Sequence, residues 1–169
     1  IAGLSMGGYG ALRNGLKYAE TFGCVAGLSA ALIYAGLADS DDSAPVFTFR
    51  RKYYEAIFGK LDEIVGSDKD PKALFEKLCA ERRPQPKLYM CCGTEDSLLG
   101  VNRDLRDALL ARGADLTYEE GPAGTTGCSG IRISAAYSSG CRLRPRRLAS
   151  AAETCSKAPN RVLPPVLQS

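Results

Sequence analysis

The sequence predicts an α/β protein whose mainly parallel sheet carries flanking helices. Two observations lead there. Short apolar runs alternate with helix-patterned stretches through residues 1–121, the order a parallel sheet needs because each crossover takes a helix. The chain also opens on Ile1-Ala2-Gly3-Leu4-Ser5-Met6-Gly7-Gly8-Tyr9-Gly10, where Gly3 to Gly7 reads G-x-S-x-G. That pattern marks a strand turning sharply into a helix with a strained serine at the apex. Side chains two residues before and two after the serine would collide there, which gives Gly3 and Gly7 their places. Ser5 is the candidate nucleophile, and the backbone N–H of Met6 is the candidate donor to a developing oxyanion.

Each element has its own signal. Leu12, Leu16 and Ala19 recur at i, i+4 and i+7, a helix face suited to packing on a sheet. Residues 22–28 (Phe-Gly-Cys-Val-Ala-Gly-Leu) are a short apolar run, the next buried parallel strand. Residues 32–49 show no period and are expected to be irregular, with the loop 30–46 placed to line a pocket. Asp39-Ser40-Asp41-Asp42-Ser43 lacks the glycine and distal glutamate of a calcium loop and reads as solvated. Arg50-Arg51-Lys52 opens a helix to about Phe58, and its charges form a surface face rather than a nucleic-acid footprint. Pro71 begins a helix ending near Ala80, with Leu74, Phe75 and Leu78 as its apolar face. Residues 87–92 form a strand ending at Gly93-Thr94-Glu95-Asp96. Val101, Leu105 and Leu109 stripe a helix over 102–112, stopped by Gly113. Residues 115–119 are a last short strand, closed by Glu120-Gly121-Pro122.

In open parallel sheets the chemistry gathers at the carboxyl ends of the strands. Ser5 stands there after one strand and Asp96 after a later one. Asp96 is the candidate acid and Glu95 its competitor, since the turn should aim only one of them toward Ser5. The alternative for Asp96 is a plain helix cap. No residue supplies a base, because the chain contains no histidine.

Composition narrows the classes further. The 169 residues suit one domain. Seven cysteines are odd in number and unpatterned, which favours reduced thiols in a cytoplasmic protein over a disulfide framework or a zinc site. No membrane span is visible. The net charge of +3 hides a break: residues 1–121 carry 15 Lys/Arg against 18 Asp/Glu, whereas residues 122–169 carry 7 against 1. A basic tail of that kind fits an anionic partner or a stretch with no fold of its own.

The blocks Gly3-Leu4-Ser5-Met6-Gly7-Gly8-Tyr9-Gly10-Ala11-Leu12, Phe58 through Asp70, Cys92-Gly93-Thr94-Glu95-Asp96, Asn102-Arg103 and Asp115 through Pro122 resemble the tributyrin esterase and feruloyl esterase group of α/β-hydrolases. This is part of the broader esterase D family, which also includes S-formylglutathione hydrolases and mycolyltransferases. The resemblance spans residues 1–122. It implies an incomplete α/β-hydrolase fold, the C-terminal part of the domain. By the same resemblance the protein is a serine carboxylesterase acting on short-chain acyl or hydroxycinnamoyl esters through a Ser-His-Asp triad. Ser5 is then the nucleophile, Asp96 the acid and Met6 an oxyanion donor. The partner implied is a small-molecule ester, with no cofactor, metal, nucleic acid or membrane, and with homo-oligomers open. Since Ile1 stands at the strand that feeds the serine turn, an N-terminal part bearing several strands is expected to be missing.

The family continues with Gly-Gly-His-(Asp/Glu)-Trp, and this sequence departs at Ala123. Joining the third base of each codon from Ala123 to the first two of the next permits Gly-His-Asp-Trp-Val-Phe-Trp-Asp. The expectation is a one-base shift that makes residues 123–169 an out-of-frame, poorly structured basic tail and leaves this copy inactive for want of its histidine. Two other functions stay open: an S-formylglutathione-type thioester hydrolase, for which Leu4 and Tyr9 are less typical than histidine, and a non-catalytic α/β remnant or binding module.

Overall fold

The computed structural model describes residues 1–40 and 51–122. The tail from Ala123, Asp41-Asp42-Ser43, Arg50 and the end of the 30–46 loop lie outside the described residues. Four parallel strands form one sheet in chain order: β1 (Ala2–Leu4), β2 (Cys24–Leu28), β3 (Lys87–Gly93) and β4 (Leu116–Gly121). The helices are α1 (Met6–Lys17), α2 (Arg51–Phe58), α3 (Pro71–Ala80) and α4 (Leu99–Leu110). The registers Leu4↔Leu28 and Leu28↔Cys91 level the ends of β1 and β2 and leave β3 two residues longer, with all three exits along one edge.

Strand periodicity divides the core in two. Val25, Leu88 and Met90 join Leu12 and Leu16 of α1, Phe58 of α2, Leu74, Phe75 and Leu78 of α3, and Leu105 and Leu109 of α4. The alternate residues Leu28, Tyr89 and Cys91, with Leu4 and Ala26, form a smaller cluster drawn from strands alone. Close backbone approach decides the first layer: a Cβ at Gly27 would come within 2.7 Å of Leu12 Cδ1, and one at Gly15 would run into the Val25 side chain.

The helix α3 begins as its sequence requires. Asp70 caps it by accepting from Lys72 N–H at 2.9 Å, and Pro71 fills the first turn, where no N–H is needed. Asp70 is itself buried, and its carboxylate also accepts from Tyr34 Oη at 2.8 Å and from Gly66 N–H at 3.0 Å. Those bonds replace the water it gave up.

Four elements differ from expectation. The last strand, expected over 115–119, is found at Leu116–Gly121. Residues 33–39, expected to be irregular, wind into a 3-10 helix (Ile33–Asp39) around buried Leu37. The strand expected over 22–28 begins only at Cys24. The helix expected from Asn102 begins at Leu99, because the turn before it is tied by Asp96. Cys79, Cys91 and Cys92 are in no disulfide. Among the described residues no helix is long and apolar enough to cross a membrane.

Candidate active site

The apex of the β1–α1 turn is Ser5, with φ 55° and ψ −119°. For an L-residue that conformation costs about 1–3 kcal/mol and persists only where neighbours over-determine it. Here three backbone hydrogen bonds do so. Ser5 N–H donates to the Leu28 carbonyl at 2.9 Å, and the Ser5 carbonyl accepts from Tyr9 N–H at 3.0 Å and Ala31 N–H at 2.9 Å. The hydroxyl makes no capping bond to α1, although Ser5 occupies the cap position. Met6, half exposed, is the first residue of the helix, where backbone N–H groups have no carbonyl of the same helix to meet. The helix dipole adds positive potential at that end.

The steric account of the glycines holds for one of the two. A Cβ at Gly3 would overlap the Gly7 carbonyl, but a Cβ at Gly7 meets nothing within 4 Å. The second tight position is Gly8, where a Cβ would lie 3.0 Å from both Ala30 Cα and Leu28 O. The turn closes against the β2 exit rather than only on itself.

The other candidate carboxylate leaves β3 on the same edge. Glu95 is exposed and Asp96 is buried, so the turn takes one acidic side chain in and sends the other out. Asp96 Oδ1 accepts from Leu98 N–H at 2.9 Å, which starts the lead-in to α4. A turn-forming role and a role in chemistry are therefore compatible at this residue.

Two residues at this edge escaped the sequence reading as site residues. Asn102 is fully buried, and its Nδ2 donates to the carbonyls of Ala30 at 2.9 Å and Leu98 at 2.8 Å. Its signal was a polar residue beside an apolar stripe. Ser29 follows β2 with φ 39°, is fully buried, and its Oγ has no hydrogen-bond partner. Nothing in the sequence around Ser29 separates it from an ordinary loop serine.

Around the edge, charge and burial set the remaining chemistry. Arg103 grips Glu120, near the carboxyl end of β4, with bonds of 2.8 and 2.6 Å, and holds that carboxyl below its usual range. Tyr9, four residues past Ser5, donates its phenol to the Lys69 carbonyl at 2.7 Å, and burial pushes it up to about 12. A cavity of about 140 Å³ opens between the 33–39 turn and α4, lined by Leu32, Tyr34, Ala35, Lys72, Val101 and Asp104 among others. It includes part of the loop expected to line a pocket. Among the described residues no group of carboxylates, thiols or imidazoles could hold a metal ion.

Residues 1–117 match the model of the Esterase family, described as "Putative esterase". The chain belongs to that family. An acetyl esterase from Caldicellulosiruptor saccharolyticus is 47% identical over 124 residues, covering 73% of this chain and 47% of that esterase. Of solved structures, the S-formylglutathione hydrolase FrmB of Staphylococcus aureus (apoenzyme) matches with a TM-score of 0.65 at 30% identity, over 82% of this chain and 51% of the other. FphF, the substrate-bound fluorophosphonate-binding serine hydrolase F of Staphylococcus aureus, gives 0.62 at 34%, over 73% and 46%. The chain spans about half the length of the relatives it matches. Its four parallel strands and flanking helices are an α/β-hydrolase arrangement in part, and the esterase match runs from β1 into β4.

Proposed function

We propose that this chain carries the nucleophile and the acid of a serine carboxylesterase acting on small acyl esters, acetyl or hydroxycinnamoyl among them. The observation that carries the reading is Ser5: a strained apex at a helix N-terminus, with a hydroxyl that the helix does not use. In the reaction Ser5 Oγ bonds to the ester carbonyl carbon while its proton passes to a base. Met6 N–H faces the oxyanion, collapse of the tetrahedral intermediate expels the alcohol with the proton returned from the base, and water then releases the acid from the acylated Ser5. Asp96 would hold an imidazole in the required tautomer.

That imidazole is not among the 169 residues. The frame-shifted reading of residues 123–169 supplies it after β4, where the Ser…Asp…His order wants it. On this reading the chain alone turns over little ester, because a serine without its base is a weak nucleophile. A short-chain chromogenic acetyl ester tests the proposal in three forms of the protein: the chain itself, the frame-restored version joined to an N-terminal half from a relative, and that version carrying Ser5→Ala. Activity confined to the second supports the triad. Equal activity in the first two removes the frameshift, and full activity in the third removes Ser5.

A thioester hydrolase of the S-formylglutathione type is the second reading, supported by the FrmB likeness. Comparing S-formylglutathione with the acetyl ester at equal concentrations in the restored protein separates the two.

A further inference from the structure

We propose that Asn102 is a positioning residue that ties the Ser5 turn to the Asp96 turn. It rests on the assignment of Ser5 as nucleophile and Asp96 as acid. A continuous hydrogen-bonded path joins them. Ala31 N–H donates to the Ser5 carbonyl at 2.9 Å. One residue back, the Ala30 carbonyl accepts from Asn102 Nδ2 at 2.9 Å. The same amide donates to the Leu98 carbonyl at 2.8 Å, and Leu98 N–H donates to Asp96 Oδ1 at 2.9 Å. One side chain thus fastens the loop after β2, which clamps the elbow, to the turn after β3, which presents the carboxylate.

The physical case for asparagine lies in the demands of the site. Two carbonyls, from different loops, each already accept one backbone N–H, that of Leu32 on Ala30 at 2.8 Å and that of Asn102 itself on Leu98 at 3.1 Å. Each keeps a second lone pair turned to the same point, and a side-chain NH₂ of this length offers both of them a donor from one atom. A leucine would fill the volume and leave both carbonyls without that donor. An aspartate would aim a carboxylate at two carbonyl oxygens. Helix burial alone does not call for a polar residue: Leu105 and Leu109, further along α4, are apolar and equally enclosed. Asn102 Oδ1 is buried without a hydrogen-bond partner, so the residue keeps an unsatisfied acceptor in order to place its donors. Positioning matters here because reacting groups must be held within fractions of an ångström.

The test uses the full chain and two readouts, with Asn102→Leu and, as a smaller second variant, Asn102→Ser. The first is amide hydrogen exchange. Removing the side-chain bonds should raise exchange at Ala31 and Leu98 by about tenfold or more, while Val25 and Met90 in the sheet keep their protection. Wild-type protection at Ala31 and Leu98 in a folded variant overturns the proposal. So does loss of protection throughout the chain in both variants, because Asn102 would then hold the fold rather than the loops.

The second readout is phosphonylation of Ser5 by an alkyl fluorophosphonate with imidazole supplied as base, followed by intact mass. The Ser5 Oγ–P bond forms, fluoride leaves and imidazole takes the proton. The Asn102 variants should label about tenfold more slowly than wild type. Equal rates in wild type and variants overturn the positioning role. Absence of label in wild type counts against Ser5 as nucleophile and leaves the exchange result to decide Asn102, so the two failures are told apart.

Discussion

Two serines leave adjacent strands of this sheet at the same edge, and both are held at positive φ: Ser5 after β1 at 55° and Ser29 after β2 at 39°. Each donates its N–H to a carbonyl of the neighbouring strand, Ser5 to Leu28 at 2.9 Å and Ser29 to Cys91 at 2.8 Å. The difference lies in the course of the chain beyond each serine. After Ser5 the chain enters α1 at once, so the side chain stands half-buried at a helix N-terminus with unfilled N–H groups beside it. After Ser29 the chain runs on toward the 33–39 turn, and the side chain is sealed in with no partner. Strain and residue type are shared, and only the exit separates a candidate nucleophile from a buried hydroxyl. Backbone strain alone is therefore no mark of chemistry.

The sharpest way to break this comparison is to delete each hydroxyl in turn. With imidazole present, Ser5→Ala should bring fluorophosphonate labelling down to background, and Ser29→Ala should leave it at the wild-type rate. Intact mass with peptide mapping reads both. Label appearing on Ser29 would erase the distinction drawn from the exits.

Next in size is the packing that holds the Ser5 exit. Gly3→Ala places a Cβ against the Gly7 carbonyl and should cost about 3 kcal/mol or more in urea unfolding. Gly7→Ala meets open space within a helix and should instead stabilise by about 0.5–1 kcal/mol. Equal losses at both glycines would restore the symmetric steric account that the structure replaces.

At the other exit, Ser29→Gly relieves a positive φ and deletes an unpartnered buried hydroxyl, so it should stabilise by about 1 kcal/mol. A loss of stability by thermal unfolding would mean that Ser29 has a bond in solution that its surroundings do not suggest.

The smallest effect belongs to the β4 exit, where neither serine is involved. Arg103 depresses the Glu120 carboxyl below its ordinary 4.5. A depressed acid stabilises the fold above its unfolded pKa and loses that contribution as pH falls through the folded one. Glu120→Gln should therefore lower stability slightly at neutral pH and flatten the acid limb of a stability–pH curve below about 4.5, so that the two forms converge in acid. An unchanged acid limb would show that the pair is fully screened in solution.

Much of this edge could be read from residues alone, for physical reasons. The demand for glycine at Gly3 comes from the Gly7 carbonyl, a contact only four residues along the chain. Pro71 after Asp70 sets a helix start through local covalent geometry. The stripe Val101, Leu105, Leu109 repeats at the helical period, although its helix starts at Leu99, ahead of the stripe. The Asp96 side chain explains the shift by accepting the Leu98 N–H. What could not be read depends on contacts between distant segments. The roles of Asn102 and Gly8 arise from how the β2 exit sits against α4 and α1, and no local pattern carries that. The 3-10 helix at Ile33–Asp39 has one buried apolar anchor, Leu37, too little to make a period.

The register of β2 on β3 also bears on the order in which the molecule assembles. Cys24 pairs with Lys87 across a stretch that contains both α2 and α3, whereas Ala2 pairs with Ala26 and Leu88 with Leu116 across a single helix each. Closing the longest loop costs the most chain entropy before any pairing rewards it. The two flanking crossover units can therefore form as local pieces, and their docking along β2 and β3 is the late event. The Ser5 turn gains its bond to Leu28 within the first piece, but the fastening to the Asp96 turn waits for the docking. The chain is thus able to shape the Ser5 turn before the Asp96 turn is fastened to it.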